Sequence, residues 1–72
     1  MSADNYLLIR KHTDGKFYVS QEFASCDPRS IESGLKKERF CFWGPFDKRE
    51  QARDFAFDEV QRDYYEYGVS EE

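Results

Sequence analysis

The chain has 72 residues, a net charge of −4 and an aromatic content of 18%. That length allows one domain, and the acidity disfavours nucleic acid as a partner, because duplex binding relies on cationic side chains that neutralise phosphates. No apolar run approaches the ~18 residues of a membrane span, and Met1-Ser2-Ala3-Asp4-Asn5 has neither the basic start nor the apolar stretch of a secretory signal, so the expected setting is the cytoplasm, with no membrane contact.

Residues 5–12 read as a first strand, and Thr13-Asp14-Gly15 is a strong hairpin signal. Gly15 suits the left-handed position of a three-residue loop. Residues 16–24 form the second strand. A three-residue loop pairs Ile9 with Val19 and Lys11 with Phe17, which gathers Leu7, Ile9, Phe17, Val19 and Phe23 on one face. A two-residue loop would scatter that apolar set, so the buried face selects the longer loop. Tyr6, Leu8, Arg10, Tyr18 and Glu22 then share the opposite face.

Residues 25–36 hold Pro, Gly and three Ser and read as a loop, with one helical turn available between Ser30 and Gly34. Residues 37–43 form a third strand rich in aromatics. Gly44-Pro45 ends it, since Pro has no amide hydrogen for a ladder. Asp47 is a good N-cap with Glu50 three residues on, and a helix follows over 47–67, closed by Gly68. Its inner face carries Ala52, Ala56, Val60, Tyr64 and Tyr67, and its solvent stripe Asp54, Asp58, Gln61 and Tyr65. Residues 1–4 and 69–72 read as flexible tails. The expected fold is α+β: a three-stranded antiparallel sheet, order β-β-β-α, with one C-terminal helix packed on one face, making a single domain over 1–72.

Charge is unevenly spread. Residues 1–45 carry seven Lys/Arg and six acids, whereas residues 46–72 carry four Lys/Arg and nine acids. The helical half is the acidic one. Asp54/Asp58 and Glu59/Asp63 are spaced four apart, and a solvated face is the ordinary reading of such pairs, since a hard-metal site wants more ligands and usually a turn. No metal or cofactor is expected. Cys26 and Cys41 lack the spacing of a zinc site and are expected as free thiols in a reducing compartment. His12 has no nucleophile placed beside it by any motif, so the chain is not expected to be an enzyme.

If one helix covers one sheet face, the other is left open. Tyr6, Leu8, Arg10 and Tyr18 on that face, with Asp54, Asp58 and Tyr65 on the helix, are the expected protein-binding residues, Tyr being enriched at interfaces. Lys36, Lys37 and Arg39, leading into Trp43, are the alternative: cations beside aromatics can stack single-stranded bases. A second alternative is an acidic surface that imitates nucleic-acid phosphates.

Phe42-Trp43-Gly44-Pro45-Phe46 followed by Arg49-Glu50-Gln51-Ala52 resembles a pattern found in sporulation-related peptidoglycan-binding repeats and in many small bacterial and phage proteins. The peptidoglycan-binding family needs a helix after its first strand, where this chain has a hairpin, so glycan binding is not carried over. The whole chain is similar in style to small accessory proteins of phages or mobile elements. That likeness implies a module that binds and modulates a host protein, and so small a core is compatible with a homodimer.

Overall fold

The computed structural model describes residues 4–36 and 41–72. It contains β1 (Asn5–Lys11), β2 (Phe17–Phe23), α1 (Ile31–Leu35), β3 (Phe42–Phe46), α2 (Arg49–Arg62) and β4 (Val69–Glu71). The strands form one mixed sheet in the order β3-β2-β1-β4, and α2 packs across it. The fold is α+β. The expected three-stranded antiparallel sheet is corrected to four strands, because the C-terminal residues pair parallel to β1.

The β1–β2 hairpin has the register that the apolar pattern demands, with Ile9 opposite Val19 and Lys11 opposite Phe17. The loop is built by short-range bonds. The His12 amide donates to the Lys16 carbonyl (2.8 Å), and the Gly15 amide to the His12 carbonyl (3.0 Å). The Lys16 amide donates to the Asp14 carboxylate (2.8 Å). Gly15 sits at φ +82°, a backbone region that L side chains rarely adopt.

β3 departs from expectation. Phe42 and Trp43 belong to it, but it runs on through Gly44-Pro45, whose peptide bond is cis, to Phe46. Position explains this: β3 is an edge strand, where a missing amide hydrogen costs no ladder bond on the open side. The expected start of this strand, over 37–40, lies outside the described residues. Gly44 is at φ +140°, and a Cβ there would lie 2.5 Å from the Tyr18 ring and 3.0 Å from the Phe17 carbonyl oxygen.

The helix starts later and stops earlier than its sequence suggests. Asp47 does not cap it. The Asp47 carboxylate pairs with Lys16 at 2.5 Å, and the cap is made by Gln51, whose side-chain oxygen accepts from the amides of Asp47 (3.0 Å) and Lys48 (3.2 Å). At the other end Asp63 is extended (φ −124°, ψ 160°), so the helix finishes at Arg62. Gly68 therefore does not close the helix. At φ +69° it turns the chain into β4. The Leu7 amide donates to the Gly68 carbonyl and the Glu72 amide to the Ile9 carbonyl, both at 2.9 Å. Residues 69–72 are thus held, not a loose tail. Glu71 adds a second anchor: its carboxylate receives Arg53 (2.9 and 3.1 Å) and Arg49 (3.3 Å) from α2.

The core between sheet and α2 is Leu7, Ile9, Val19, Ala52, Ala56 and Tyr65. The two alanines bring the helix backbone close to the strands, as their spacing predicts. Phe55 closes one margin, with its ring 5.1 Å from Trp43 and 5.5 Å from Phe46. Among the described residues no helix is long and apolar enough to cross a membrane.

Two predictions test this architecture. Gly44→Ala combines a strained φ with a collision against Tyr18, so the denaturation midpoint falls by an amount equivalent to about 1–3 kcal/mol. The second concerns pH. Hydrogen bonding to Arg53, aided by Arg49, holds the Glu71 carboxyl below its usual 4.5 despite some desolvation. A lowered folded-state pKa contributes stability that is present above the unfolded value and is lost as pH falls through the folded one. Chemical denaturation between pH 7 and pH 3 (about the range of carboxylate titration) is expected to show a shallower acid loss in Glu71→Gln than in the parent.

Candidate protein-interaction surface

The sheet face away from α2 is covered. Leu8 and Tyr18 are each 4% exposed, and Ser20 and Glu22 each 1%. The segment after β2 returns over them. The Arg29 amide (3.0 Å) and Nε (3.3 Å) meet one oxygen of the Glu22 carboxylate. The other oxygen accepts from the Ser20 hydroxyl (2.8 Å) and Arg10 (3.3 Å). A carboxylate this deep is tolerable only when paired and hydrogen-bonded, and here it has both kinds of partner. Phe42 stacks on Tyr18 with ring centres 5.4 Å apart. A Cβ on Gly34 of α1 would collide with that Phe42 ring, so the missing side chain lets α1 close over the pair. The Tyr18 hydroxyl donates to Asp14 at 2.8 Å.

These contacts redistribute the sequence-predicted residues. Tyr6 is half-buried, and Arg10 is committed to Ser20 and Glu22. Leu8 and Tyr18 are core residues, contrary to the expectation of an open face. Asp54 and Asp58 are exposed as expected, with Asp58 paired to Arg62 at 2.7 Å. Tyr65 is buried rather than solvent-facing, because the helix ends before it and the extended Asp63 changes the phase of the chain. Lys36 is exposed beside the end of α1, Lys37 and Arg39 lie outside the described residues, and Trp43 packs its ring on Phe55. Cys26 is exposed and Cys41 half-buried, both free thiols.

The exposed aromatic surface lies elsewhere. Phe57 is 51% exposed, Tyr64 73% and Tyr67 57%. Phe57 stands on the outer line of α2 among Glu50, Asp54, Asp58 and Gln61, all exposed. Tyr64 and Tyr67 stand in the turn after α2, and Asn5 holds that turn in place. The Asn5 side chain donates to the Tyr64 carbonyl (3.4 Å) and accepts from the Glu66 amide (3.2 Å), while its carbonyl accepts from the Tyr67 amide (3.1 Å). Asn5 is also paired with Phe23, itself 40% exposed. The backbone of Tyr64 and of Tyr67 and the strand position of Phe23 are therefore all adjacent to Asn5, at one end of the sheet.

The same surface is acidic. Residues 49–67 carry three arginines and six carboxylates. Two of those arginines, Arg49 and Arg53, reach the strand carboxylate of Glu71, and Arg62 is taken by Asp58 and Glu59. Among the described residues no salt bridge reaches Glu50, Asp54, Asp63 or Glu66. The spacing of the acids predicts this stripe, whereas a helix carried through residue 67 places Tyr64 and Tyr67 on the buried side, where the end of α2 at Arg62 leaves them exposed.

The neighbouring Tyr65 phenol is pushed up to about 12, first by burial and then by Cys41, Glu59 and Asp63. Burial and the Asp14 carboxylate also raise Tyr18. No family model matches the chain, and no curated protein or solved structure matches it either.

A raised phenol pKa favours the neutral form in the folded state. Its stabilisation is complete below the unfolded value of 10.0 and is lost as pH rises through the folded one. Tyr65→Phe, which removes the ionisable group and leaves the ring, is expected to soften the alkaline loss of stability above that value. The check is a denaturation series at rising pH, read beside the parent.

Proposed function

We propose that the protein is a non-enzymatic binding module and that it contacts a partner protein through the outer side of α2 and the turn that follows it. The accessory-protein style of the chain makes a host protein the natural target. One observation carries the reading: Phe57, Tyr64 and Tyr67 are each more than half exposed on a domain whose small core would gain from burying them. Tyr and Phe are the side chains that supply contact area at interfaces with little entropy to lose, and leaving such rings in water is otherwise unrewarded. The helix backbone is fixed by Ala52 and Ala56, the turn by Asn5, so the aromatics stand on rigid supports. Asp54 and Asp58 remain in this surface, whereas Leu8, Tyr18 and Tyr65 serve the interior.

A tagged copy used as bait, with nuclease present throughout, tests the reading. The double substitution Phe57→Ser and Tyr64→Ser is expected to lower recovery of the bound protein by at least about tenfold while the circular dichroism spectrum is retained, as for truncated interface anchors. Lys36→Glu, on the α1 side, is expected to leave recovery unchanged. Full recovery by the double variant, or recovery that depends on Lys36, contradicts it.

A further inference from the structure

We infer that the segment seated on this surface is cationic: a stretch of a partner protein rich in Arg and Lys, with its basic groups between the exposed rings and the surrounding carboxylates. The inference rests on the binding reading above and adds the chemistry of the partner. Two independent observations point the same way. The first is the pattern of ion pairing. The arginines of α2 are satisfied within the chain, two by Glu71 and one by Asp58 and Glu59. Glu50 and Asp54 on the outer line of the helix, and Asp63 and Glu66 in the turn, receive no salt bridge among the described residues. Arg53 lies in the field of Glu50 and Asp54 while its hydrogen bonds go to Glu71, yet residues 49–67 still hold six carboxylates against three arginines, so the surface keeps a net negative charge. The second is the interleaving of that charge with rings. Phe57 lies between Asp54 and Asp58, Tyr64 follows Asp63, and Tyr67 follows Glu66.

A guanidinium can lie over a ring and at the same time face a carboxylate. The chain itself shows the arrangement: Arg49 lies 4.9 Å from the centre of the Phe17 ring while its Nη1 meets Glu71 at 3.3 Å. The exposed rings each adjoin a carboxylate in sequence, Phe57 beside Asp58, Tyr64 beside Asp63 and Tyr67 beside Glu66, and of these carboxylates Asp58 alone has a salt bridge among the described residues, to Arg62. Arg is the better fit, because its planar group stacks on aromatics and also bonds carboxylates in pairs. A phosphate backbone is a poor occupant for the same reason: like charge would meet like charge. A nucleic-acid-binding protein would meet this requirement with its basic groove, which joins the inference to the idea of an acidic surface that imitates phosphates.

The test uses the full chain and a defined probe, a fluorescent peptide alternating Arg with small polar residues, beside the same peptide with Glu in place of each Arg. Anisotropy is expected to show saturable binding of the Arg peptide alone, weakening as salt is raised. Asp54→Lys and Glu66→Lys are each expected to weaken it by about three- to tenfold, and Tyr64→Ala by about tenfold or more. Glu32→Lys, an exposed charge reversal on α1, is expected to change little beyond the long-range field and so serves as the control. Equal binding of the two peptides, no binding of the Arg peptide, or equal weakening by Glu32→Lys and Asp54→Lys overturns the inference. Sedimentation that shows self-association lost in Tyr64→Ala also overturns it, in favour of a second copy. The two readings fail separately. If Phe57→Ser/Tyr64→Ser abolishes partner recovery but salt and the charge reversals leave it unchanged, the surface is right and its cationic occupant is wrong. If neither the aromatic nor the charge substitutions alter recovery, the surface itself is wrong.

Discussion

The register of the β1–β2 hairpin is the constraint on which the rest of this structure depends. Thr13-Asp14-Gly15 closes the loop so that Ile9 faces Val19. Side chains alternate across a strand, so that one choice sorts both faces together. Leu7, Ile9 and Val19 go to α2, while Leu8, Tyr18, Ser20 and Glu22 go to the face on which Arg29 and Phe42 lie. A slip of one residue would drive the Glu22 carboxylate towards Ala52 and Ala56 and expose the aliphatic core. In a chain this short, burying the central strands on both sides is how enough apolar surface is removed from water.

That two-sided burial is also what displaces the exposed aromatic surface. A sheet covered on one side offers its other side to a partner, and the sequence pattern encourages that view. Here Arg29 and Phe42, the latter seated against Gly34 of α1, lie over the second side, so the exposed rings are left on the margin: the outer line of α2 and the turn beyond it. Asn5 links the two ends of the chain by binding this turn from the first residue of β1. Parallel pairing of β4 and the grip of Arg49 and Arg53 on Glu71 complete the link, and the acidic half of the chain is thereby fixed against the near-neutral half.

Local patterns made much of this legible. The hairpin register, the turn at Ser30–Gly34, the approach of α2 through Ala52 and Ala56, and the acidity of the helix follow from spacing and turn chemistry. What the pattern concealed has physical causes. β4 contains one apolar residue, Val69, and its pairing comes from a parallel partner distant in sequence. The end of α2 at Arg62 has no glycine or proline to mark it, so a continued helical phase put Tyr64 and Tyr67 inside and Tyr65 outside, the reverse of what the extended Asp63 produces. Gln51, not Asp47, ties down the helix start, its side-chain oxygen accepting from the Asp47 and Lys48 amides just before the helix, while the Asp47 carboxylate pairs with Lys16. The closing of the second face depends on Gly34, whose missing side chain admits the Phe42 ring, a fit that no periodicity records.

The two most exposed tyrosines, Tyr64 and Tyr67, lie in the turn after α2, while Tyr18 on β2 is buried. Photochemically induced dynamic nuclear polarisation tests it directly, since a dye in solution polarises only those tyrosines whose rings it can reach. Strong signals are expected from Tyr64 and Tyr67 and none from Tyr18 or Tyr65. A strong signal from Tyr18, with Tyr64 and Tyr67 silent, would show instead that the sheet face is open and the turn is covered.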